Sequence, residues 1–175
     1  MKKKSSKAPL NYLVILYGAI TFALLALGVG TWWAYSYSAN MVKTELVAQK
    51  IYFPEKGSES FKADEYPDLQ KYAGQQVDNG VKARAYANGY IGRHLEKIAN
   101  GKTYAEVSSE AQKNPEDKKL AGQKQTLFMG ETLRGLLLNA YAFGTIAKLL
   151  QAVSIACFIA SFGLLVLTFR LRKAS

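Results

Sequence analysis

Histidine and cysteine are almost absent from this chain. Its 175 residues include one histidine, His94, and one cysteine, Cys157. A zinc site usually takes several His or Cys ligands, and an iron site of the two-His-one-carboxylate type needs a second His. One cysteine also leaves nothing for it to pair with inside the chain. These shortages argue against a metal enzyme and against a disulfide scaffold.

Short motifs that mark common active sites are also missing. The sequence contains no GxSxG nucleophile elbow, no GxxxxGK[ST] or GxGxxG phosphate loop, and no Asp-rich calcium loop. His94 is therefore expected to be an ordinary helix residue. A pH-dependent contact with a partner is the alternative, since His titrates near neutrality. We predict that the chain is not an enzyme and has no catalytic, cofactor-binding or metal-binding residues.

Charge is absent from two long hydrophobic runs, Leu13 to Ala34 and Leu149 to Phe169. Each is close to the roughly 20 apolar residues that cross a bilayer as a helix. The first run could instead be a signal peptide, but it exceeds the roughly 7–15 residues of a signal h-region. It also ends in TWWAYSY, an aromatic cluster typical of a membrane interface. We predict two transmembrane helices, over residues 10–35 and 149–169.

Positive charge flanks both runs. The tails over residues 1–9 and 170–175 hold seven Lys and Arg and no acid. Such an excess marks cytoplasmic flanks, so both termini are expected inside the plasma membrane and residues 36–148 outside it. The net charge of +10 is then mostly a topology signal. We predict no nucleic-acid partner, and a weak attraction of the tails to anionic lipid.

The segment between the runs predicts a mainly helical domain with irregular loops. Residues 54–80 are rich in turn-forming residues, whereas residues 81–100 return to a helical period and end before Gly101. The predicted fold class is therefore mostly α, with two transmembrane helices flanking an extracytoplasmic, mainly helical domain over residues 36–148.

Two helix starts can be predicted in the second half of this domain. Thr103 followed by Glu106 is a capping box. Asn114 before Pro115 is expected to cap a last helix that runs from about residue 115 to 171.

Lys148 lies just before the second hydrophobic run. We expect it at the outer membrane interface, with its side chain extended toward water. The alternative is that the span begins nearer Leu136 and that Lys148 lies in the bilayer, which would cost several kcal/mol unless the charge were paired.

Small residues form a stripe along each hydrophobic run, and such stripes let helix backbones approach one another in lipid. They could pack against each other or against a larger membrane protein. The last outer helix adds a broad apolar surface. The predicted partner-binding residues are Ala19, Ala23, Ala26, Gly30, Ala152, Ala156, Ala160, Gly163, Leu137, Leu138 and Tyr141.

The stretch GQQVDNGVKARAYANGYIGRHLEKIANGKTYAEV, residues 74–107, resembles a stretch of a family of small actinobacterial membrane proteins. These proteins have two spans and an outer domain. The resemblance covers the domain from residue 74 on and the two-span layout, while residues 50–73 look like an addition. The matching residues are Gly74, Val77, Gly80, Ala83, Ala85, Ala87, Ile91, His94, Gly101, Thr103, Tyr104, Ala105 and Glu106.

Many members of this family are labelled aromatic ring-opening dioxygenases, but one His cannot supply the iron ligands of that chemistry. Members of this kind occur as small accessory subunits of the actinobacterial cytochrome bcc–cytochrome c oxidase supercomplex. The resemblance therefore implies a non-catalytic subunit that docks on and stabilises this respiratory complex, with subunits of cytochrome c oxidase or cytochrome bcc as partners. A membrane-tethered extracytoplasmic module that binds a ligand or an envelope component is the alternative.

Overall fold

A computed structural model describes residues 8–173 of the chain. The basic residues predicted as an N-terminal tail lie outside the described part up to residue 7, as do residues 174 and 175. Helices make up 80% of the structure. Outside them, the described residues contain one isolated bridge, between Tyr52 and Gln76, and no strand. The prediction of a mostly α chain is confirmed.

Two helices are long and apolar enough to cross a membrane, as predicted. They are α1 (Ala8–Ala48) and α5 (Lys118–Lys173). The chain forms two compact units. Among the described residues, one unit, here called the helix pair, joins residues 8–38 with residues 146–173, and the other is the 39–145 domain.

In the helix pair, α1 and α5 meet at a close contact around one glycine. The Ser154 hydroxyl donates a buried hydrogen bond of 2.7 Å to the carbonyl oxygen of Gly28. A Cβ added to Gly28 would lie 3.0 Å from the Phe158 ring and 3.3 Å from the Cβ of Cys157. A larger residue at this position would therefore force the two helices or their side chains apart.

Buried small residues recur every seven positions in both helices of the pair. Seven residues is close to two helical turns, so these residues line one side of each helix. We call them the seam: Thr21 and Gly28 on α1, and Ala147, Ser154 and Ser161 on α5. The two remaining hydroxyls of the seam, on Thr21 and Ser161, each donate to the carbonyl four residues earlier in their own helix. The polar groups of the seam are thus satisfied without water.

An aromatic cluster forms the centre of the 39–145 domain. Phe53 and Phe61 are 1% and 0% exposed. Phe61 stacks on Tyr66 with ring centroids 5.4 Å apart and meets Tyr90 edge-on at 5.8 Å, while Tyr86 meets Phe53 edge-on at 5.1 Å. Such ring pairs contribute about 0.5–1.5 kcal/mol each beyond their burial. The segment predicted to be irregular therefore supplies core residues to the domain.

The predicted helix over residues 81–100 is present, but its middle is a π-helix. The three successive segments are α2 (Gly80–Arg84), the π-helix (Ala85–Gly92) and α3 (Arg93–Ala99). In the π-helix, Gly89 lies against Leu69, and a Cβ there would come within 2.9 Å of that side chain. The run ends at Asn100 and Gly101, whose φ angles are 51° and 78°. The predicted glycine stop is confirmed.

The predicted capping box at Thr103 is confirmed, and α4 (Tyr104–Lys113) begins there. The Thr103 hydroxyl accepts a hydrogen bond from the Glu106 amide, and the Glu106 carboxylate accepts one of 2.7 Å from the Thr103 amide. This amide, with the Thr103 hydroxyl, holds the pKa of Glu106 below its ordinary value.

The prediction that Asn114 caps the last helix is wrong. Helix α5 begins at Lys118, and the Asp117 carboxylate accepts hydrogen bonds from the amides two and three residues further on. The Asn114 side chain instead donates to the carbonyl of Glu110 at the end of α4. Asn and Asp cap helices about equally well, and the turn between α4 and α5 decides which of them is used.

Candidate partner-binding surfaces

Both small-residue stripes lie on the outside of the helix pair. All eight of their residues are exposed, namely Ala19, Ala23, Ala26, Gly30, Ala152, Ala156, Ala160 and Gly163. Gly28 and Gly30 are about 200° apart around α1, because each residue turns the helix by about 100°. A Cβ on Gly30 or Gly163 would meet no atom within 4 Å. The idea that the stripes pack against each other is therefore wrong, while packing against a larger membrane protein stays a prediction.

The seam was missed in the sequence. Its signal is the seven-residue spacing of glycine, serine and threonine in both hydrophobic runs, for example Thr21 to Gly28 and Ser154 to Ser161. The more numerous alanines on the other side of each helix obscured it.

Lys148 lies level with the aromatic end of the first hydrophobic run. Helix α1 leads out of the pair and α5 leads back, so the two helices run in opposite directions. Ala34 lies six residues after Gly28 on α1, and Lys148 lies six residues before Ser154 on α5. Because the helices are antiparallel, Ala34 and Lys148 lie at about the same level along the pair. Ala34 follows Trp33, which is 69% exposed, and tryptophan is enriched at membrane interfaces. Because Lys148 lies level with this aromatic end of α1, an interfacial position is favoured for it over a position deep in the bilayer.

Two residues also lie level with each other at the opposite end of the helix pair. Tyr12 lies sixteen residues before Gly28 on α1, and Arg170 lies sixteen residues after Ser154 on α5. Helix α1 rises about 33 Å between Tyr12 and Ala34 at about 1.5 Å per residue. This length is close to the about 30 Å thickness of a bilayer core.

The apolar surface predicted on the outer part of α5 needs correction. Leu137 is 1% exposed and belongs to the core of the 39–145 domain, so it cannot bind a partner in this fold. Leu138 and Tyr141 are half-buried. The Arg84 guanidinium lies 4.9 Å from the centre of the Tyr141 ring and donates a bond of 3.0 Å to its hydroxyl. Gly80 packs on the same side, since a Cβ there would lie 3.0 Å from the Tyr141 backbone.

Other apolar residues occupy the exposed side of this part of α5. Phe128, Met129, Leu136 and Phe143 are 55%, 55%, 60% and 50% exposed. The nearby acid, Glu131, is paired with an arginine of the same helix at 2.8 Å. These four residues, here called the exposed α5 face, form an apolar surface on this part of the helix.

His94 makes a local ring contact. Its imidazole is exposed on α3 and stacks on Tyr90, with the ring centroids 6.4 Å apart and the planes inclined by 13°. Among the residues that the structure describes, no group of three or more His, Cys, Asp or Glu is placed to hold a metal ion. This environment fits the interpretation of His94 as an ordinary helix residue.

A cleft of about 420 Å³ opens beside the π-helix. Its walls combine charged, polar and apolar side chains, those of Asp68, Leu69, Lys71, Tyr72, Val81, Arg84, Ala85, Asn88, Gly89 and Arg93. Arg93 donates two hydrogen bonds, of 2.8 and 3.0 Å, to the Asp68 carboxylate. These bonds hold the pKa of Asp68 below its ordinary value. No motif in the sequence joins the walls of this cleft, so the cleft could not be predicted from the sequence.

Most residues of the resembling stretch have structural roles. Val77, Ala83 and Ala87 are each 0% exposed, and Ile91 is 8% exposed. Gly80 allows the close approach to α5, Gly101 turns the chain, and Thr103 with Glu106 caps α4. In this chain the stretch therefore encodes the packing of the domain.

Comparison of the chain with protein-family models, with curated proteins and with solved structures gave no match.

Proposed function

We infer that this chain is a non-catalytic accessory subunit, anchored in the plasma membrane, that docks on and stabilises a larger membrane complex. The resemblance names the respiratory cytochrome bcc–cytochrome c oxidase supercomplex as that complex. The observation that carries the proposal is the outward position of both small-residue stripes. The contact between α1 and α5 is made by other residues, so the stripes are available to bind a helix of another protein.

The physical argument comes from packing in lipid. Between helices in a bilayer there is little hydrophobic driving force, and association depends on van der Waals fit and on hydrogen bonds. Small side chains help only where another backbone comes close. Stripes on Ala23 and Ala26 and on Ala156 and Ala160 are therefore best explained by contact with a further protein helix.

Docking can be tested with bulky substitutions in the stripes. We expect Ala23→Leu with Ala26→Leu, or Ala156→Leu with Ala160→Leu, to insert normally but to co-purify with the partner complex at a level reduced by about tenfold. A tenfold change corresponds to about 1.4 kcal/mol, a modest loss of fit for two added side chains. The measurement is pull-down of the tagged full chain in mild detergent, with haem absorbance and mass spectrometry of the partners.

A matched control places similar bulk on another exposed side of α1. Gly18 and Val29 are exposed, lie near one another around the helix, and lie about a quarter turn from the stripe. Gly18→Leu with Val29→Leu should leave co-purification unchanged. If every stripe variant also stays in the complex at the wild-type level, the stripes are not the docking site and the exposed α5 face becomes the surface to test.

The proposed orientation has both termini in the cytoplasm and the 39–145 domain outside. We expect Ser109→Cys to react with an impermeant thiol reagent on intact cells, and Lys173→Cys to react only after the membrane is permeabilised. Both positions are exposed, and α5 ends in Arg170, Arg172 and Lys173, which favour the cytoplasmic side. The reverse labelling pattern would show that the chain is inserted the other way round.

The alternative function is a membrane-tethered module that binds a small ligand, and the cleft beside the π-helix is the observation in its favour. The same pull-down separates the two functions. A chain that is recovered without haem proteins, at full yield and with normal helix content, would contradict the respiratory assignment and leave ligand binding as the better explanation.

A further inference from the structure

The cleft beside the π-helix carries unbalanced positive charge. Its lining includes three cations, Lys71, Arg84 and Arg93, and a single acid, Asp68. Both carboxylate oxygens of Asp68 already accept hydrogen bonds from Arg93. Within residues 11–173, neither Lys71 nor Arg84 forms a salt bridge, although the charge of Lys71 helps to lower the pKa of the Asp68 carboxyl. Their contacts are aromatic: Lys71 lies 5.0 Å from the centre of the Tyr72 ring, and Arg84 lies over Tyr141.

The π-helix supplies three residues to the lining of the cleft. Such helices are rare and occur frequently at functional sites. Two of these residues, Ala85 and Gly89, are small, and Asn88 adds an amide. The Asn88 carbonyl oxygen accepts a bond of 3.2 Å from Arg134, so its amide nitrogen is left to donate. The cleft thus presents three kinds of hydrogen-bond donor: an ammonium, a guanidinium and an amide.

We propose that this cleft binds a phosphate group carried by an organic molecule. A phosphate offers several charged oxygens that can accept hydrogen bonds from both an arginine and a lysine. Such charge-assisted hydrogen bonds are stronger than hydrogen bonds between neutral groups. The volume of about 420 Å³ lies within the about 300–1,000 Å³ of small-molecule sites. Leu69 and Val81 give an apolar wall for the organic part. This site is independent of the docking function proposed above.

Two sources share this chemistry: a soluble phosphate ester and the headgroup of an anionic phospholipid. The probes are therefore glycerol phosphate, inorganic phosphate and a short-chain phosphatidylglycerol, with short-chain phosphatidylcholine for comparison. Binding to the full chain in neutral detergent is measured by phosphorus NMR titration. We expect saturable binding of at least one phosphate probe, weakened about tenfold or more by Lys71→Gln with Arg84→Gln.

Two matched variants separate a site from general charge and from misfolding. Lys56→Gln with Lys62→Gln removes the same charge from exposed lysines outside the cleft and should bind like the wild type. Lys71→Arg with Arg84→Lys keeps the charge and should retain most of the binding. Circular dichroism should show the same helix content in all variants.

Each outcome is informative. Preference for phosphatidylglycerol over glycerol phosphate and phosphatidylcholine identifies a lipid headgroup, and the reverse preference identifies a soluble ester. Absence of saturable binding by every phosphate probe would overturn the proposal. Equal weakening by the cleft variant and by the Lys56 and Lys62 variant would overturn it too.

Discussion

Replacing Phe61 with alanine is expected to come close to unfolding the 39–145 domain. The ring is 0% exposed and contacts Phe53, Tyr66 and Tyr90. Removing a buried phenylalanine typically costs about 3–5 kcal/mol, because both the burial and the surrounding contacts are lost. Domains of ordinary size are stable by only about 5–15 kcal/mol. One substitution therefore removes a large share of the free energy of unfolding.

Hydrogen exchange of the full chain in detergent measures this effect locally. We expect the amides of the segment from Ile51 to Asn100 to lose protection in Phe61→Ala, while α5 within the helix pair keeps its protection. Phe128→Ala is the matched control, since Phe128 is 55% exposed and its truncation should cost less than about 1 kcal/mol. Equal losses in the two variants would mean that the aromatic cluster is not the core of the domain.

Replacing Gly28 with cysteine is expected to create a disulfide with the native Cys157. A Cβ at residue 28 would lie 3.3 Å from the Cys157 Cβ, near the about 3.5–4.5 Å found across disulfides. The Phe158 ring has to move by a few tenths of an ångström to admit it. Mild oxidation should convert most of the chain to a form with faster migration on a non-reducing gel, and a reductant should reverse the change.

Gly30→Cys is the control for this experiment. It is the same substitution two residues further on, where a Cβ meets no atom within 4 Å. We expect no intramolecular disulfide with Cys157 there. A disulfide in Gly30→Cys but not in Gly28→Cys would show that the stripe, and not the seam, faces the other helix.

Local signals in the sequence predicted local structure well. Thr103 and Glu106 satisfy each other within a single turn, so their capping box needs no support from the rest of the fold. The cap of α5 failed as a prediction, because Asn114 and Asp117 are equally good candidates three residues apart. The choice between them depends on how the chain turns after α4, which the two residues do not encode.

Signals that depend on packing were harder to interpret. Small residues occur on both sides of α1, and only the folded structure shows that the side with Gly28, whose carbonyl accepts a bond from Ser154, faces α5. In the π-helix, Gly89 fits against Leu69, which is remote in sequence. Leu137 and Leu136 are neighbours of the same type, and only the position of the domain core makes the first buried and the second exposed.

The cleft had no sequence signal, because Lys71 and Arg84 come from different elements and become neighbours only in the folded domain. Each one alone resembles any other surface cation of a basic chain. The positive charge of Lys71 and Arg84 stays unbalanced in the cleft only because the Asp68 carboxylate is held by its paired bonds to Arg93.

The seam also shelters the only thiol of the chain. Cys157 is 7% exposed, so the sulfur of a second cysteine from another molecule cannot reach it while the two helices stay together. Oxidation requires an accessible thiolate. Covalent dimers through Cys157 should therefore form only after the two helices have separated.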